Sequence, residues 1–179
     1  MSMDVATRTE LTARLRDLAE PVATWREDGW IGRTSTLRDG DRLLGRLRIE
    51  GWMGNSAVLE TSAGTWRLRQ EAFKSRWSAE PDPPAAGALA FSPGLLGRRP
   101  LTLRSGDELR WRMRNMWKGR WAWMRRDDEL VRYENRRSFL KTVVEVKWDR
   151  EIRDWPELDA LVGLGWWMLL ERRGHSAAT

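Results

Sequence analysis

Asp154-Trp155-Pro156-Glu157-Leu158-Asp159-Ala160-Leu161-Val162-Gly163-Leu164-Gly165-Trp166-Trp167-Met168-Leu169-Leu170-Glu171-Arg172-Arg173-Gly174 is the stretch that decides the fold. Asp154 can cap a helix, and Pro156 is tolerated in a first turn. Glu157 and Asp159 suit the positive end of a helix dipole, and Glu171 to Gly174 supply a closing signal. The segment therefore reads as a helix over 155–173. From Ala160 to Leu170 no side chain is polar. A surface helix would show a polar stripe, so this one must be surrounded by apolar material on every side. Eleven residues span only ~17 Å at a rise of ~1.5 Å each, short of the ~20 residues a bilayer requires. The helix is expected inside the protein, with Gly163 and Gly165 admitting the close approach of a strand or a bulky side chain.

The chain N-terminal to the helix supplies the wrapping. From about Trp30 to Trp148 the apolar period is two. Leu43, Gly45, Leu47 and Ile49 alternate with Leu44, Arg46, Arg48 and Glu50, and Trp66 and Leu68 with Arg67 and Arg69. Leu109, Trp111 and Met113 alternate with Arg110, Arg112 and Arg114, Trp121 and Trp123 with Arg120 and Ala122, and Val144, Val146 and Trp148 with Glu145 and Lys147. Each reads as a strand with one dry and one wet face. Shorter candidates are Ala57–Thr61, Ala88–Ser92, Leu101–Arg104 and Leu130–Glu134. Turn signals at Asp39-Gly40-Asp41, Gly54-Asn55, Ala63-Gly64, Ser105-Gly106-Asp107 and Arg126-Asp127-Asp128 separate them. This rhythm favours an antiparallel meander closed into a barrel or sandwich.

Upstream, Leu11, Leu15, Leu18 and Val22 lie three and four apart, which predicts a helix over Thr9–Trp25 packed outside the barrel. The Pro/Ala-rich segment Ala79–Gly87 reads as a loop between two halves of one sheet system. The halves echo each other: Thr36-Leu37-Arg38-Asp39-Gly40-Asp41-Arg42-Leu43 and Thr102-Leu103-Arg104-Ser105-Gly106-Asp107-Glu108-Leu109 agree at six of eight positions at an offset of 66. An internal duplication of a β-meander would account for this. The expected organisation is an N-terminal helical segment (1–26), a barrel domain (27–173) containing the helix, and a disordered tail (174–179).

Length and composition agree with one such domain. The 179 residues suit a single core that needs neither metal nor disulfide. There is no cysteine, which removes disulfides, thiolate zinc sites and cysteine nucleophiles. Thirteen tryptophans are too many for one pocket, so most are expected in the core. The start, Met1-Ser2-Met3-Asp4, lacks the basic-then-apolar pattern of a signal peptide, which points to the cytoplasm.

A closed antiparallel barrel threaded by an apolar helix resembles the tubby C-terminal-like superfamily, which includes the LURP-one-related proteins and the phospholipid scramblases. The meanders around Gly40-Asp41 and Gly106-Asp107 and the terminal helix Trp155–Leu170 carry the resemblance, which covers roughly Gly32 to Arg173. The likeness is one of layout. The palmitoylation cysteines of the scramblases have no counterpart, since cysteine is absent. The fold expectation is therefore a mainly β protein, a closed antiparallel barrel around a buried C-terminal helix, plus an N-terminal helix outside. The rival is a lipocalin-like or helix-grip barrel with the helix packed outside.

The sequence offers little reaction chemistry. The single histidine, His175, stands near the C-terminal end, which leaves no base for a Ser–His–Asp site. Asp39/Asp41 and Asp127/Asp128/Glu129 sit in expected turns, where aspartate bonds its own backbone. No Gly-Lys-Ser/Thr phosphate loop is present. No cofactor is implied, and a non-enzymatic binding module is expected. Net charge is +6, almost entirely from arginine among the basic residues. Arg46, Arg48, Arg67, Arg69, Arg110, Arg112 and Arg114 fall on wet strand faces and would form one basic patch if those strands are neighbours. Such a patch suits an anionic lipid headgroup or another phosphorylated ligand. An acidic protein partner is the alternative reading and single-stranded nucleic acid the third. Most tryptophans lie opposite the arginines, which weighs against base stacking. Leu95, Leu96, Arg98 and Arg99 form a candidate membrane-contacting tip.

Overall fold

The computed structural model describes residues 11, 13–28, 33–51, 54–71, 76–83, 89–91, 100–136 and 143–176. Twelve strands and one α-helix follow one another in these residues. The strands are β1 (Val22–Asp28), β2 (Thr34–Asp39), β3 (Arg42–Glu50), β4 (Ser56–Thr61), β5 (Gly64–Glu71), β6 (Arg76–Asp82), β7 (Leu89–Phe91), β8 (Leu101–Thr102), β9 (Glu108–Asn115), β10 (Arg120–Arg125), β11 (Asp128–Arg136) and β12 (Val143–Trp148). The helix is α1 (Leu158–Ser176). The protein is mainly β, one large antiparallel sheet with one C-terminal helix.

Every strand pairs with its predecessor in the chain. β1 also pairs with β12, from Val22↔Lys147 to Arg26↔Val143, so it lies between β12 and β2. The ladder is thinnest at β7 and β8, which share the single pair Ala90↔Thr102. Inward-facing residues follow the period of two. Ala23 and Trp25 are buried on β1, Ala57 and Leu59 on β4, Trp66 and Leu68 on β5, Leu109 and Trp111 on β9, and Val144, Val146 and Trp148 on β12. Three bulges interrupt the ladder, one of which skips Arg114 of β9 in its pairing with β10. Leu44 on β3 and Leu130 on β11 have no partner across the ladder, and both join the core. Leu44 was expected on the wet face; the bulge beside Gly45 turns it inward.

The sheet wraps α1. Every residue from Leu158 to Leu169 is buried. Trp166 stacks on Trp25 of β1 at 5.7 Å, and Trp167 meets Trp77 of β6 edge-on at 4.7 Å. On another side the Tyr133 hydroxyl donates to the Leu161 carbonyl oxygen at 2.8 Å, within reach of Val162 O at 3.2 Å, and the Trp123 indole N–H donates to the same Leu161 oxygen at 3.2 Å. Burial lifts the Tyr133 phenol well above its ordinary pKa, so it stays a neutral donor. The two glycines have the role their positions suggested. A Cβ at Gly163 would stand 2.5 Å from Leu59 Cδ2, and one at Gly165 would stand 2.5 Å from Tyr133 Cζ. Eight tryptophans, at 25, 66, 77, 111, 123, 148, 166 and 167, are buried, as the composition required.

Several elements differ from expectation. Asp149, not Asp154, acts as a cap: its carboxylate accepts from Glu151 N at 2.8 Å and starts the 3₁₀ turn Arg150–Ile152, which carries the chain off the sheet rim. α1 then begins at Leu158 rather than at 155. It continues through Gly174, His175 and Ser176, so these three are helical rather than tail, and 177–179 lie outside the described residues.

The N-terminal helix is not formed in the described residues. Leu15–Asp17 is a single 3₁₀ turn, and Val22–Asp28 is a strand. The reason is a distant residue. Arg153 donates to the carbonyls of Arg16 and Leu18, which an α-helix would use internally, while Leu15 and Leu18 still bury themselves against the core. Thr9, Glu10 and Thr12 lie outside the described residues. The connector 79–87 also starts later than expected, because Ala79 to Asp82 belong to β6 and pair with β5. The repeated motifs both form hairpins, β2–β3 and β8–β9, but in different registers. Asp39 pairs with Arg42 across a two-residue turn, whereas Thr102 pairs with Glu108 across a five-residue one.

Gly165→Ala therefore forces a methyl group into the Tyr133 ring, an overpacking that costs about 1–3 kcal/mol against a helix-propensity gain of at most ~1 kcal/mol. At Gly163 the neighbour is the flexible end of Leu59, and alanine there should cost less. Urea unfolding should rank stability as wild type, then Gly163→Ala, then Gly165→Ala; equal stability of Gly165→Ala and wild type would contradict the packing.

Candidate functional site

With the interior filled, charge is left to the outer face of the sheet. Register decides which arginines meet. Arg46 on β3 stands opposite Thr36 on β2 and Glu60 on β4, and Arg48 stands opposite Thr34 and Val58. Val58 in turn faces Arg67 on β5, and Ser56 faces Arg69. Arg46, Arg48, Arg67 and Arg69 thus share one outer face over β3–β5. Arg110, Arg112 and Arg114 lie on β9, four strand steps from β5 in the sheet order, or about 19 Å at ~4.8 Å per step. The single patch does not form. The strands are not neighbours, and the seven arginines divide into two faces.

The first face holds a groove of about 840 Å³, lined among others by Asp28, Thr34, Thr36, Arg38, Arg46 and Arg48. Alternation along β2 puts Thr34, Thr36 and Arg38 on this side, a pattern present in the sequence that the strand assignment had missed. Carboxylates partly neutralise the face: Arg48 pairs with Glu50 at 3.0 Å and Arg67 with Asp82 at 2.9 Å. Thr36 Oγ1 donates to Asp28 at 3.3 Å, and Arg38 donates to the Asp41 carbonyl at 3.3 Å. The arginine contacts are exposed, of the kind worth ~0–1 kcal/mol and open to exchange with a stronger anion, whereas Thr36 is itself buried.

On the second face Glu129 accepts from Arg114 at 2.9 Å and also from Arg120. Burial pushes the Glu129 carboxyl up, but hydrogen bonds and charge from Arg120 and Arg114 outweigh it and hold the group below the usual carboxylate range. Glu145 is lowered in the same way, with Lys147 and Arg136 overcoming its partial burial. Arg110 and Arg112 line a separate groove of about 700 Å³ with Asp107, Glu108, Arg126 and Asp127.

The β9–β10 turn corrects a further expectation. Met113, placed on the dry face by alternation, is 47 % exposed, and beyond it Met116 is 72 % and Trp117 88 % exposed. β9 runs past the rim of the core, where an inward-pointing residue meets solvent. The membrane-contact candidates Leu95, Leu96, Arg98 and Arg99 lie outside the described residues.

Of the turn carboxylates, Asp39 is taken up by Arg42 at 2.6 Å and Glu129 by its two arginines. Among the described residues no group of three or more histidine, aspartate or glutamate side chains is arranged to hold a metal. No described helix is long and apolar enough to cross a membrane. The buried carboxylates are instead at the start of α1. Asp159 accepts from the Thr61 hydroxyl at 2.6 Å, and Glu157 is approached by Arg104 N at 3.4 Å. Both were legible as helix-dipole partners, but their burial was not.

No family model, curated protein or solved structure matches this chain.

Burial raises the Asp159 carboxyl above its ordinary pKa of 3.8; the Thr61 hydrogen bond and the charges of Arg16 and Arg14 oppose this only in part. The folded protein then holds this proton more tightly than the unfolded chain. The stabilisation is present in full below the unfolded value and lost as pH rises through the folded one. Relative to Asp159→Asn, wild type should lose stability as pH is raised from about 3.8 toward neutrality. Urea unfolding at a series of pH values tests this. The opposing contributions of Glu129 and Glu145 cancel in the comparison, and parallel curves would contradict it.

Proposed function

We propose that this protein is a non-enzymatic, cytoplasmic binding module for phosphorylated or otherwise anionic ligands, and that its wrapped sheet works as a closed barrel of the tubby-like kind. The β1–β12 ladder and the enclosed helix support the barrel reading. The groove over β2–β3 carries the functional one. Three guanidinium groups, on Arg38, Arg46 and Arg48, line the same concavity as the hydroxyls of Thr34 and Thr36. Guanidinium forks match phosphate oxygens in pairs, and hydroxyls supply further donors. Asp28 and Glu60 at the margin favour ligands that also offer hydroxyl donors, such as a phosphorylated polyol or an inositol-type lipid headgroup.

Calorimetric titration of the full chain with pyrophosphate, with inositol hexakisphosphate and with short-chain phosphoinositide tests this at low salt. Binding should weaken as salt rises. The double substitution Arg38→Gln/Arg46→Gln should weaken it by tenfold or more, about 1.4 kcal/mol per tenfold. Arg110→Gln/Arg112→Gln should leave it unchanged. Equal affinity for the soluble and lipid probes would identify the phosphate itself as the recognised group, and a preference for the lipid would identify a headgroup. Absence of heat with all three, or binding indifferent to the groove arginines, would contradict the proposal.

A further inference from the structure

We infer that the β9–β10 hairpin is a membrane-seating tip that rests on an anionic lipid surface. The first observation is the charge distribution. The segment from Leu109 to Arg126 contains seven basic side chains and no acidic one. The whole chain carries +6, with 32 basic and 26 acidic residues, so everything outside this hairpin is close to neutral. The hairpin itself, Glu108 to Arg125, carries six basic side chains against the single acid Glu108, so nearly all of the net charge lies on it.

The second observation is what the hairpin exposes. Trp111 and Trp123 point inward and are buried, and Trp121 lies beneath the Arg172 guanidinium, 4.4 Å from its ring centroid. Trp117 does the opposite: it is 88 % exposed, beside Met116 at 72 % and Met113 at 47 %, and these three are the exposed large hydrophobic residues of the described chain. Neither Trp117 nor Met116 contributes its side chain to the turn. Lys118 N donates to Asn115 Oδ1 at 3.0 Å and Gly119 N to Met116 O at 3.1 Å, while Gly119 packs against Asn135 of β11. The turn is built by its backbone and by Asn115, and presents a tryptophan and two methionines that the fold does not use.

An indole flanked by flexible apolar chains and cations is the chemistry of the membrane–water interface. There the ring sits at headgroup depth, and basic residues meet lipid phosphate. Glu129 holds Arg114 and Arg120. Lys118 at the tip and Arg112 and Arg110 behind it on β9 are left to meet the surface. Three apolar side chains on one turn are far below the ~800 Å² per partner of a stable protein interface. Single-stranded nucleic acid needs successive aromatics on the basic face, and Trp117 is the one exposed aromatic among the described residues. The inference does not depend on the β2–β3 groove, whose arginines lie on other strands.

Co-sedimentation of the full chain with phosphatidylserine–phosphatidylcholine vesicles, against phosphatidylcholine alone, tests it. Wild type should sediment with the anionic vesicles, less so as salt rises. Trp117→Ser/Met116→Ser should reduce partitioning at least tenfold with an unchanged urea midpoint, and Lys118→Gln should reduce it about fivefold. Three results would each overturn the inference: no sedimentation of wild type with anionic vesicles, equal partitioning of the Trp117/Met116 variant, or loss in that variant of binding to a single-stranded oligonucleotide or of self-association rather than of vesicle binding.

Discussion

A helix without a polar face must be enclosed, and the rest of this structure is arranged around that requirement. α1 has apolar neighbours on every side from Leu158 to Leu169. Two glycines let Leu59 and Tyr133 approach its backbone directly. The position along the axis is fixed by polar contacts, because the Leu161 carbonyl accepts from both Tyr133 and Trp123 in a region where an unpaired donor would cost ~1–3 kcal/mol. The tryptophans are large enough to fill the space between a wide sheet and a single helix, and they enter from β1, β5, β6, β9, β10 and β12 as well as from α1 itself.

Filling the interior restricts where function can reside. Among the described residues the side chains of α1 and of the inner strand faces fill the interior, and the grooves at Arg46 and Arg110 lie on the outer face. There arginine and carboxylate alternate across strands, and most pairs are exposed and cheap to exchange. The β9–β10 hairpin stands apart because its sequence carries no acid from Leu109 to Arg126. Among the described residues Glu157 and Asp159 depart from the rule that carboxylates stay outside, and Asp159 shows how. It is tolerated at the start of α1 because Thr61 donates to it and because the helix dipole favours a negative group there.

The elements legible in the sequence were those whose signal is local. The all-apolar run Ala160–Leu170 announced burial by its lack of a polar stripe, and period-two alternation located most strands, including the inward tryptophans of β5, β9 and β10. The misread elements depend on residues far away in the chain. Leu11, Leu15, Leu18 and Val22 have helical spacing, but Arg153, more than a hundred residues on, takes the carbonyls a helix would need. β6 was hidden by Pro81, which its antiparallel partner β5 accommodates opposite Trp66. Leu44 was misplaced because a bulge leaves no compositional trace. The division of the arginines into two faces required knowing that β6, β7 and β8 intervene between β5 and β9, and strand order is a property of the whole sheet. Trp117 looked like one more core tryptophan, because alternation gives no indication of where the core ends.

The enclosure of α1 can be measured directly by native-state amide hydrogen exchange. If the sheet surrounds the helix, amides from Val162 to Leu169 can exchange only when the whole molecule opens. Their protection should then equal that of the most protected strands and fall in parallel with global stability as urea is added. Exchange of the helix amides at lower free energy than those of β4 and β11, insensitive to urea, would mean that α1 detaches while the sheet stays folded, and would contradict the account.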